Sequence, residues 1–418
     1  MIKEMCNQAK EASQQLALAQ TRQKNECLLA MADLIWEQRP AILNANQGDV
    51  QGAERAGLSP AMIDRLMLNE SRLEGIAASL RDVAALPDPV GKVFDARELP
   101  NGLRLHKQRV PIGVLAVIYE SRPNVTIEVT GLALKTGNAI ILRGGSETIA
   151  TNRALVAVIR AAMQQSGLPP EAVQFIDNPD RALVNELLKM HDTIGMLIPR
   201  GGNQLHQFCR ENSTIPVITG GIGICHLFVD ESANQDASLK VIQNAKVQRP
   251  TVCNALDTVL VHRGIAATFL PRLVERLKAD NVTFRAHDNA MPYLKGFSAP
   301  LVQPAGSEDF DTEWLSLVLG VKVVDGLEEA IRHIAAHSTG HSDGILTENP
   351  DHANQFVARV DSAAVYVNAS TRYTDGGQFG LGAEVAVSTQ RLHARGPMAL
   401  EELTTYKWVA QGDYSVRP

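Results

Sequence analysis

From residue 113 to residue 199 the chain repeats one pattern: a short apolar run, then a longer stretch in which apolar positions return every three or four residues. "GVLAVIY" (113–119), "NAIILR" (138–143), "AVQFI" (172–176) and "TIGMLIP" (193–199) read as buried strands. Between them, 125–136, the stretch opening at Ser146 and a segment running to Met190 read as helices, with Ser146 as cap and Gly167 as stop of the second. Strands separated by helices of this length predict βαβ units and a parallel sheet. The series closes near Thr219–Gly223. A second one follows: "HLFVD" (226–230), a helix at 234–245, "LDTVLVH" (256–262), a helix at 265–279, "VKVVD" (321–325), a helix at 326–336, "GILT" (344–347), a helix at 350–359, and "SAAVYVN" (362–368).

Ahead of these series, the first 86 residues read as helices, with Leu28, Met31, Ala32 and Ile35 at helical spacing and Pro40 and Pro60 as boundaries. Residues 87–109 change to short strands and turn residues, and Pro100-Asn101-Gly102 signals a hairpin. Such an arm, with a tail of short strands after Gly382, suits assembly of like chains, a dimer or larger. The fold class is α/β, and 418 residues predict two or three domains. No low-complexity linker separates them.

Composition narrows the function. A net charge of −6 argues against nucleic acid or an anionic membrane as partner, and no run of 18 apolar residues is available to span a bilayer. The N-terminal stretch is polar and amphipathic without an apolar signal core, so export is not expected. Five scattered cysteines without CxxC spacing suit a reducing cytosol, not a disulfide framework.

One of those cysteines, Cys253, stands just ahead of the 256–262 strand and behind Lys246 and Arg249. It is either an apolar filler, the commoner use of a free cysteine, or a nucleophile whose thiolate the cations favour. "LRGGSE" (142–147) and "IPRGGNQLHQF" (198–208) each place two glycines between a strand and a helix, where backbone amides can hold a phosphate. "ITGGIGIC" (218–225) is a third glycine cluster, either an amide nest or a flexible joint between domains. Arg122, Arg200, Arg249 and Arg372 lie in loops and together would suit an anionic, phosphorylated substrate. His333, His337 and His341 fall at i, i+4, i+8, but Gly340 should end the helix before the third, and a solvated polar face is the better reading than a metal site. No G-x-S-x-G elbow occurs.

"RVPIGVLAVIYESRPNVTIEVTGLALKTGNAIILRGGSE" resembles the aldehyde dehydrogenase superfamily. "YESRPNVT", "RGGSE", "IPRGG", "NAKVQRPTVCNA" and "GQFGLGAEVAVST" resemble its branch that reduces an acyl phosphate, over nearly the whole chain. The resemblance implies an aldehyde dehydrogenase-like fold, with two parallel-sheet α/β domains and a small β oligomerisation element. Residues 1–86 and 111–224 would bind cofactor, 225–382 would carry the nucleophile, and 87–110 with 383–418 would assemble the oligomer. It makes Cys253 the nucleophile and Asn124 the oxyanion donor. Arg143, Gly144, Gly145, Ser146, Gly201, Gly202 and Glu313 would contact the cofactor, and Arg122, Arg249 and Arg372 the substrate. No metal is implied.

Hydrolytic members of that superfamily carry a water-activating glutamate where this chain reads "PVITGGIG", without an acid. An enzyme exchanging its acyl group with phosphate should avoid such a base. The implied reaction is reduction of L-glutamyl 5-phosphate to L-glutamate 5-semialdehyde in the cytoplasm, the second step of proline biosynthesis from glutamate. Arginine at the ribose position, followed by small residues, favours NADPH, and the glutamate 5-kinase that makes the labile substrate is a candidate partner. Two rival readings are an oxidising dehydrogenase of another acidic aldehyde, which the missing glutamate opposes, and a non-catalytic scaffold, which an intact Cys253 and Asn124 oppose.

Overall fold

The computed structural model describes residues 1–220 and 222–417. It contains two compact units, one formed by 1–219, 380–386 and the chain from 398 onward, the other by 220–379 and 387–397.

The first unit opens with α1 (Ile2–Leu16), α2 (Thr21–Glu37), α3 (Arg39–Arg55), α4 (Pro60–Leu66) and α5 (Glu70–Ala85). The periodic apolar positions Leu28, Met31, Ala32 and Ile35 of α2 are all buried. Pro40 lies in the first turn of α3 and Pro60 begins α4 behind the Ser59 cap, positions where proline lacks no needed donor. Strands β1 (Val93–Glu98) and β2 (Arg104–Pro111) form the expected hairpin, whose turn places Gly102 at φ 79°.

Next come β3 (Val114–Tyr119), α6 (Asn124–Lys135), β4 (Ala139–Arg143), α7 (Ile149–Gln165), β5 (Val173–Phe175), α8 (Arg181–Leu187), β6 (Met196–Arg200) and α9 (Asn203–Asn212). The four strands form a parallel sheet in the order β5-β4-β3-β6. Every residue of β3 is buried, as continuous apolar runs predict for a parallel strand covered on both faces. After β5 the chain returns to place β6 on the far side of β3, so the order reverses between β3 and β6. Loops at such a reversal, beyond the carboxyl ends of the strands, form the usual ligand crevice of open α/β sheets.

Ser146 does not cap the helix that follows. Residues Ser146–Thr148 make a separate 3-10 turn, and α7 starts at Ile149 without a side-chain cap. The Ser146 hydroxyl is exposed and reaches only the neighbouring Glu147 carboxylate, at 3.5 Å. Gly167 does end the helix, at φ 66°.

The second unit comprises β7 (Cys225–Val229), α10 (Gln235–Val247), β8 (Leu256–His262), α11 (Arg263–Lys278), β9 (Thr283–Ala286), β10 (Val302–Pro304), β11 (Val318–Val324), α12 (Leu327–His337), β12 (Ser342–Leu346), α13 (Pro350–Arg359) and β13 (Ala364–Val367). Its seven strands pair in the order β10-β9-β11-β8-β7-β12-β13, all parallel. One apolar cluster includes Ile242, Phe269, Leu273 and Val259; another joins Phe228 and Leu260 to Leu327, Ile331, Ile334 and Phe356 of α12 and α13. The last strands are β14 (Ala386–Ser388), β15 (Gly396–Met398) and β16 (Thr404–Gln411). β16 pairs antiparallel with β2 in the first unit and completes a three-stranded sheet β1-β2-β16.

Two of the three histidines leave the solvated face, and only His337 stays partly exposed, beside Asp311. His333 is buried on α12, and His341, beyond the helix, is fully buried ahead of β12. His333 stacks edge-on against His226 and Phe310, with ring centres 5.5 and 5.2 Å away. Burial holds His333 far below the ordinary imidazole range, helped by His226 and Lys322, and pushes His341 down to about 4. Among the described residues no group of three or more His, Cys, Asp or Glu is arranged to hold a metal ion. Among the described residues no helix is long and apolar enough to cross a membrane.

Candidate active site

In the second unit the site is built from the loops that enter the strands, at the amino edge of the sheet. Cys253 lies between α10 and β8; it is partly exposed, whereas Cys6, Cys27, Cys209 and Cys225 are buried. Burial raises those four thiols, Cys6 and Cys209 to about 11 and Cys27 to about 12, and Cys225 well above the ordinary range. Cys253 is thus the thiol most open to solvent.

Its loop is held from several sides. The Cys225 thiol donates to the Cys253 carbonyl at 3.2 Å. Asn254 donates to the Thr374 carbonyl at 2.9 Å, and the Thr371 hydroxyl donates to the Asn254 carbonyl at 2.7 Å. Gly223, entering β7, lies so close that a Cβ there would fall 1.5 Å from the Cys253 carbonyl oxygen. The Gly223 amide donates to Glu313 at 2.9 Å, and the Ile224 amide to the Thr339 hydroxyl at 3.0 Å. The end of the glycine cluster, at Gly223 and Ile224, is therefore pinned and is not a loose joint there. Burial raises the Glu313 carboxyl; the Gly223 amide opposes this rise and Asp257 adds to it.

The charges differ from those the sequence suggested in one respect. Lys246 is buried and faces Asp257 at 3.5 Å, so its charge is spent on that partner. Burial pushes the lysine down and the aspartate up, the usual direction for a pair withdrawn from water. Arg249 is exposed. Arg372 is half-buried, bonded to Gln248 at 3.1 Å and to the Asn254 side chain. Its burial, and then Arg249, lower its proton affinity, while Asp375, Cys253 and Cys225 raise it. The guanidiniums of Arg249 and Arg372 thus share the neighbourhood of Cys253.

In the first unit the loops beyond β3, β4 and β6 carry the remaining candidates. Asn124 is the first residue of α6, and its amide donates to Glu128 one turn on, at 2.9 Å. A carboxylate only accepts, so this bond fixes which end of the amide is the donor and leaves the second N–H for another acceptor. Arg122 is exposed in the loop before it. Arg143 ends β4 and bonds the Gly144 carbonyl and, at 2.9 Å, the Pro179 carbonyl. Its proton affinity is lowered by burial, partly restored by Glu147 and lowered again by Arg181, a second guanidinium close by. Gly144 and Gly145 are buried; Gly201 is half-buried and Gly202, which begins α9, is exposed, with nothing within 4 Å of the place a Cβ would take. Arg200 ends β6.

These loops fit a dinucleotide. Two glycine turns and the β3–α6 loop lie about the strand-order reversal, and the space beside Gly202 at the amino end of α9 is open, although the Gly202 amide itself is taken by a carboxylate. The sequence reading missed two members of this group: Glu120, whose carboxylate accepts from the Gly202 amide at 3.0 Å, and Glu147, which accepts from Ser121. Their neighbours in sequence had pointed only to a phosphate.

Residues 1–291 match the model of the aldehyde dehydrogenase family. The chain is 58% identical over 417 residues to the gamma-glutamyl phosphate reductase of Serratia marcescens, covering 100% of both chains. It is 59% identical over 415 residues to that of Aeromonas salmonicida, covering 99% of each. Among solved structures, gamma-glutamyl phosphate reductase from Thermotoga maritima superimposes with a TM-score of 0.97 at 48% identity over 100% of both chains. An acetylating aldehyde dehydrogenase from Geobacillus thermoglucosidasius shares the fold, with a TM-score of 0.69 at 19% identity over 100% of this chain and 97% of that one.

Proposed function

We propose the chemistry of this site from the premise that the chain belongs to the aldehyde dehydrogenase family. It is an oxidoreductase that reduces gamma-glutamyl phosphate, the reductive step of proline biosynthesis from glutamate, with a nicotinamide cofactor. In our reading the second unit supplies the nucleophile and the first the cofactor loops.

The Cys253 thiolate attacks the acyl carbon of L-glutamyl 5-phosphate. The S–C bond forms, the C–O bond to phosphate breaks, and phosphate leaves with the electron pair, dividing one hard step into two. Arg249 and Arg372, with Arg122, hold the anionic leaving group. A reduced nicotinamide, when bound, would supply a hydride to the thioester carbonyl carbon. Asn124 donates its second amide N–H to the resulting thiohemiacetal oxyanion, and collapse breaks the C–S bond, releasing the semialdehyde and restoring the thiolate. Gly144, Gly145, Ser146, Gly201, Gly202 and Glu313 would hold the cofactor. Arg143 favours a 2′-phosphate and hence NADPH. The β1-β2-β16 sheet is the assembly element, the cytoplasm the compartment, and the glutamate 5-kinase that makes the substrate a partner.

The observation that carries this reading is Cys253 itself, the one cysteine open to solvent, set beside two guanidiniums with no carboxylate in the 216–223 segment behind it. Run in reverse, the enzyme should oxidise glutamate semialdehyde, supplied as its cyclised form pyrroline-5-carboxylate, only when phosphate is present. Without phosphate, stopped-flow traces should show at most one turnover per Cys253 and then a stall at the thioester. Sustained phosphate-free turnover to free glutamate would refute it.

A further inference from the structure

The loop that carries Asn124 is slung between the two glycine turns by carboxylates. Glu147, at the end of the 143–147 turn, accepts from both the Ser121 amide at 2.9 Å and the Ser121 hydroxyl at 2.7 Å. Ser121 is buried with φ at 45°, a left-handed conformation that a non-glycine residue keeps only where its surroundings impose it. On the other side, Glu120 accepts from the Gly202 amide, and its own amide donates to the Arg200 carbonyl at 3.1 Å. The carboxylates also account for the glycines. A Cβ on Gly145 would fall 2.1 Å from Glu147 Oε1, and one on Gly201 would fall 2.4 Å from Glu120 Oε2.

We propose that Glu147 is a positioning residue for the reaction: by holding Ser121 left-handed it aims the first turn of α6, and with it the Asn124 amide, while tying that turn to the 143–147 loop. This rests on the oxyanion role assigned to Asn124. Glu147 is the critical tether because Glu120 keeps its backbone bond to Arg200 when its carboxylate is lost, whereas Ser121 loses both bonds with Glu147. What Ser121 needs is an oxygen acceptor, not a charge.

The test compares Glu147→Ala, Glu147→Gln, Asn124→Ala and the Glu147→Ala/Asn124→Ala double variant, with hydrogen exchange alongside kinetics. Glu147→Ala should lower kcat about 10- to 100-fold, the scale of a catalytic group misplaced by about an ångström, while both KM values stay within about threefold. Glu147→Gln keeps an acceptor and should stay within about threefold of the parent. On the Asn124→Ala background, Glu147→Ala should cost little more, because both act through one amide. Without cofactor, exchange in 120–124 should quicken in Glu147→Ala and not in Glu147→Gln, with β3, β4 and β6 unchanged. Parental kcat in Glu147→Ala, equal losses in Ala and Gln, or unaltered exchange would each overturn the proposal. If Glu147→Ala fails to fold, Ser121→Ala removes one of the two bonds and should slow kcat about three- to tenfold; parental kcat there overturns it equally. Should Asn124→Ala keep its kcat while Glu147→Ala loses it and loosens the loop, the role of Asn124 fails and the tether stands.

Discussion

Adding one methyl group at Gly223 tests whether the thiol is placed by the segment that enters β7. The new Cβ would fall 1.5 Å from the Cys253 carbonyl oxygen, 2.5 Å from its carbonyl carbon and 2.9 Å from its Cα. An ordinary carbon–oxygen approach is about 3.3–3.6 Å, so the two backbones must part by about 2 Å. The Cys253 loop cannot withdraw without breaking the Asn254 and Thr371 bonds on its far side. Moving the glycine segment instead breaks the Gly223–Glu313 and Ile224–Thr339 bonds, at about 1–3 kcal/mol for each buried group left unpaired. Withdrawal of the loop displaces the nucleophile by more than the ångström that costs about 10²-fold, and movement of the glycine segment strips that loop of its support at Gly223. Gly223→Ala should therefore lower kcat/KM at least about 100-fold and lower the Tm. The rate of Cys253 alkylation, followed by mass spectrometry, should change as well. Gly48→Ala is the control, since nothing lies within 4 Å of its Cβ in the middle of α3, and alanine there should be neutral or stabilising by up to about 1 kcal/mol. Activity within threefold of the parent and an unchanged Tm in Gly223→Ala would refute the argument.

Other consequences are as direct. Cys253→Ser should abolish reduction with the fold intact, and iodoacetamide should modify Cys253 ahead of the four buried thiols; peptide mapping that finds another cysteine first would contradict this. Asn124→Ala should lower kcat by about 10²–10³-fold with little change in KM, whereas a pure KM defect would give Asn124 another task. His333 and His341 are held below the imidazole range, so the unfolded chain binds more protons than the folded one below about pH 6.5. Their contribution is complete above that pH and is lost as pH falls, by about 2 kcal/mol for each at pH 5, so the urea midpoint should drop between pH 7.5 and 5 and drop less in His341→Gln. A flat midpoint would exclude it.

How much of this was legible in the sequence depends on whether the cause was local. Strand β8 falls on 256–262 and α13 on 350–359 as the apolar spacing indicates, because burial and period are properties of the segment itself. The histidine face was misread because its cover comes from elsewhere: Phe310 and His226, remote in sequence, close over His333. Lys246 looked like a cation for the thiol, and only the fold shows it turned to Asp257. Ser146 looked like a cap from residue type, but the 3-10 turn moves the start of α7 past it. Glu120 and Glu147 could not be seen at all. Each adjoins a motif whose glycines already had an explanation, and no one-dimensional rule says that a carboxylate fills the space above them.

The position of the thiol also decides where its activation must come from. Cys253 follows the carboxyl end of α10, which closes at Val247, so that helix directs its negative pole toward the chain leading to the thiol. Many reactive cysteines sit at a helix amino end, where the amides favour thiolate; this one does not follow a helix start. Lys246 is committed to Asp257. Two guanidiniums, Arg249 and Arg372, lie in the neighbourhood of Cys253, and Arg372 is held in place by Gln248 and Asn254. Arg372→Gln should then raise the pH midpoint of Cys253 alkylation by about one unit, a near-tenfold loss of thiolate at neutral pH, while Arg372→Lys recovers part of it. If the proposed role of Arg372 at the leaving group holds, the same substitution should also weaken phosphate in the reverse reaction. An unshifted alkylation midpoint in Arg372→Gln, with phosphate binding weakened, would divide those roles and leave the activation of Cys253 to Arg249.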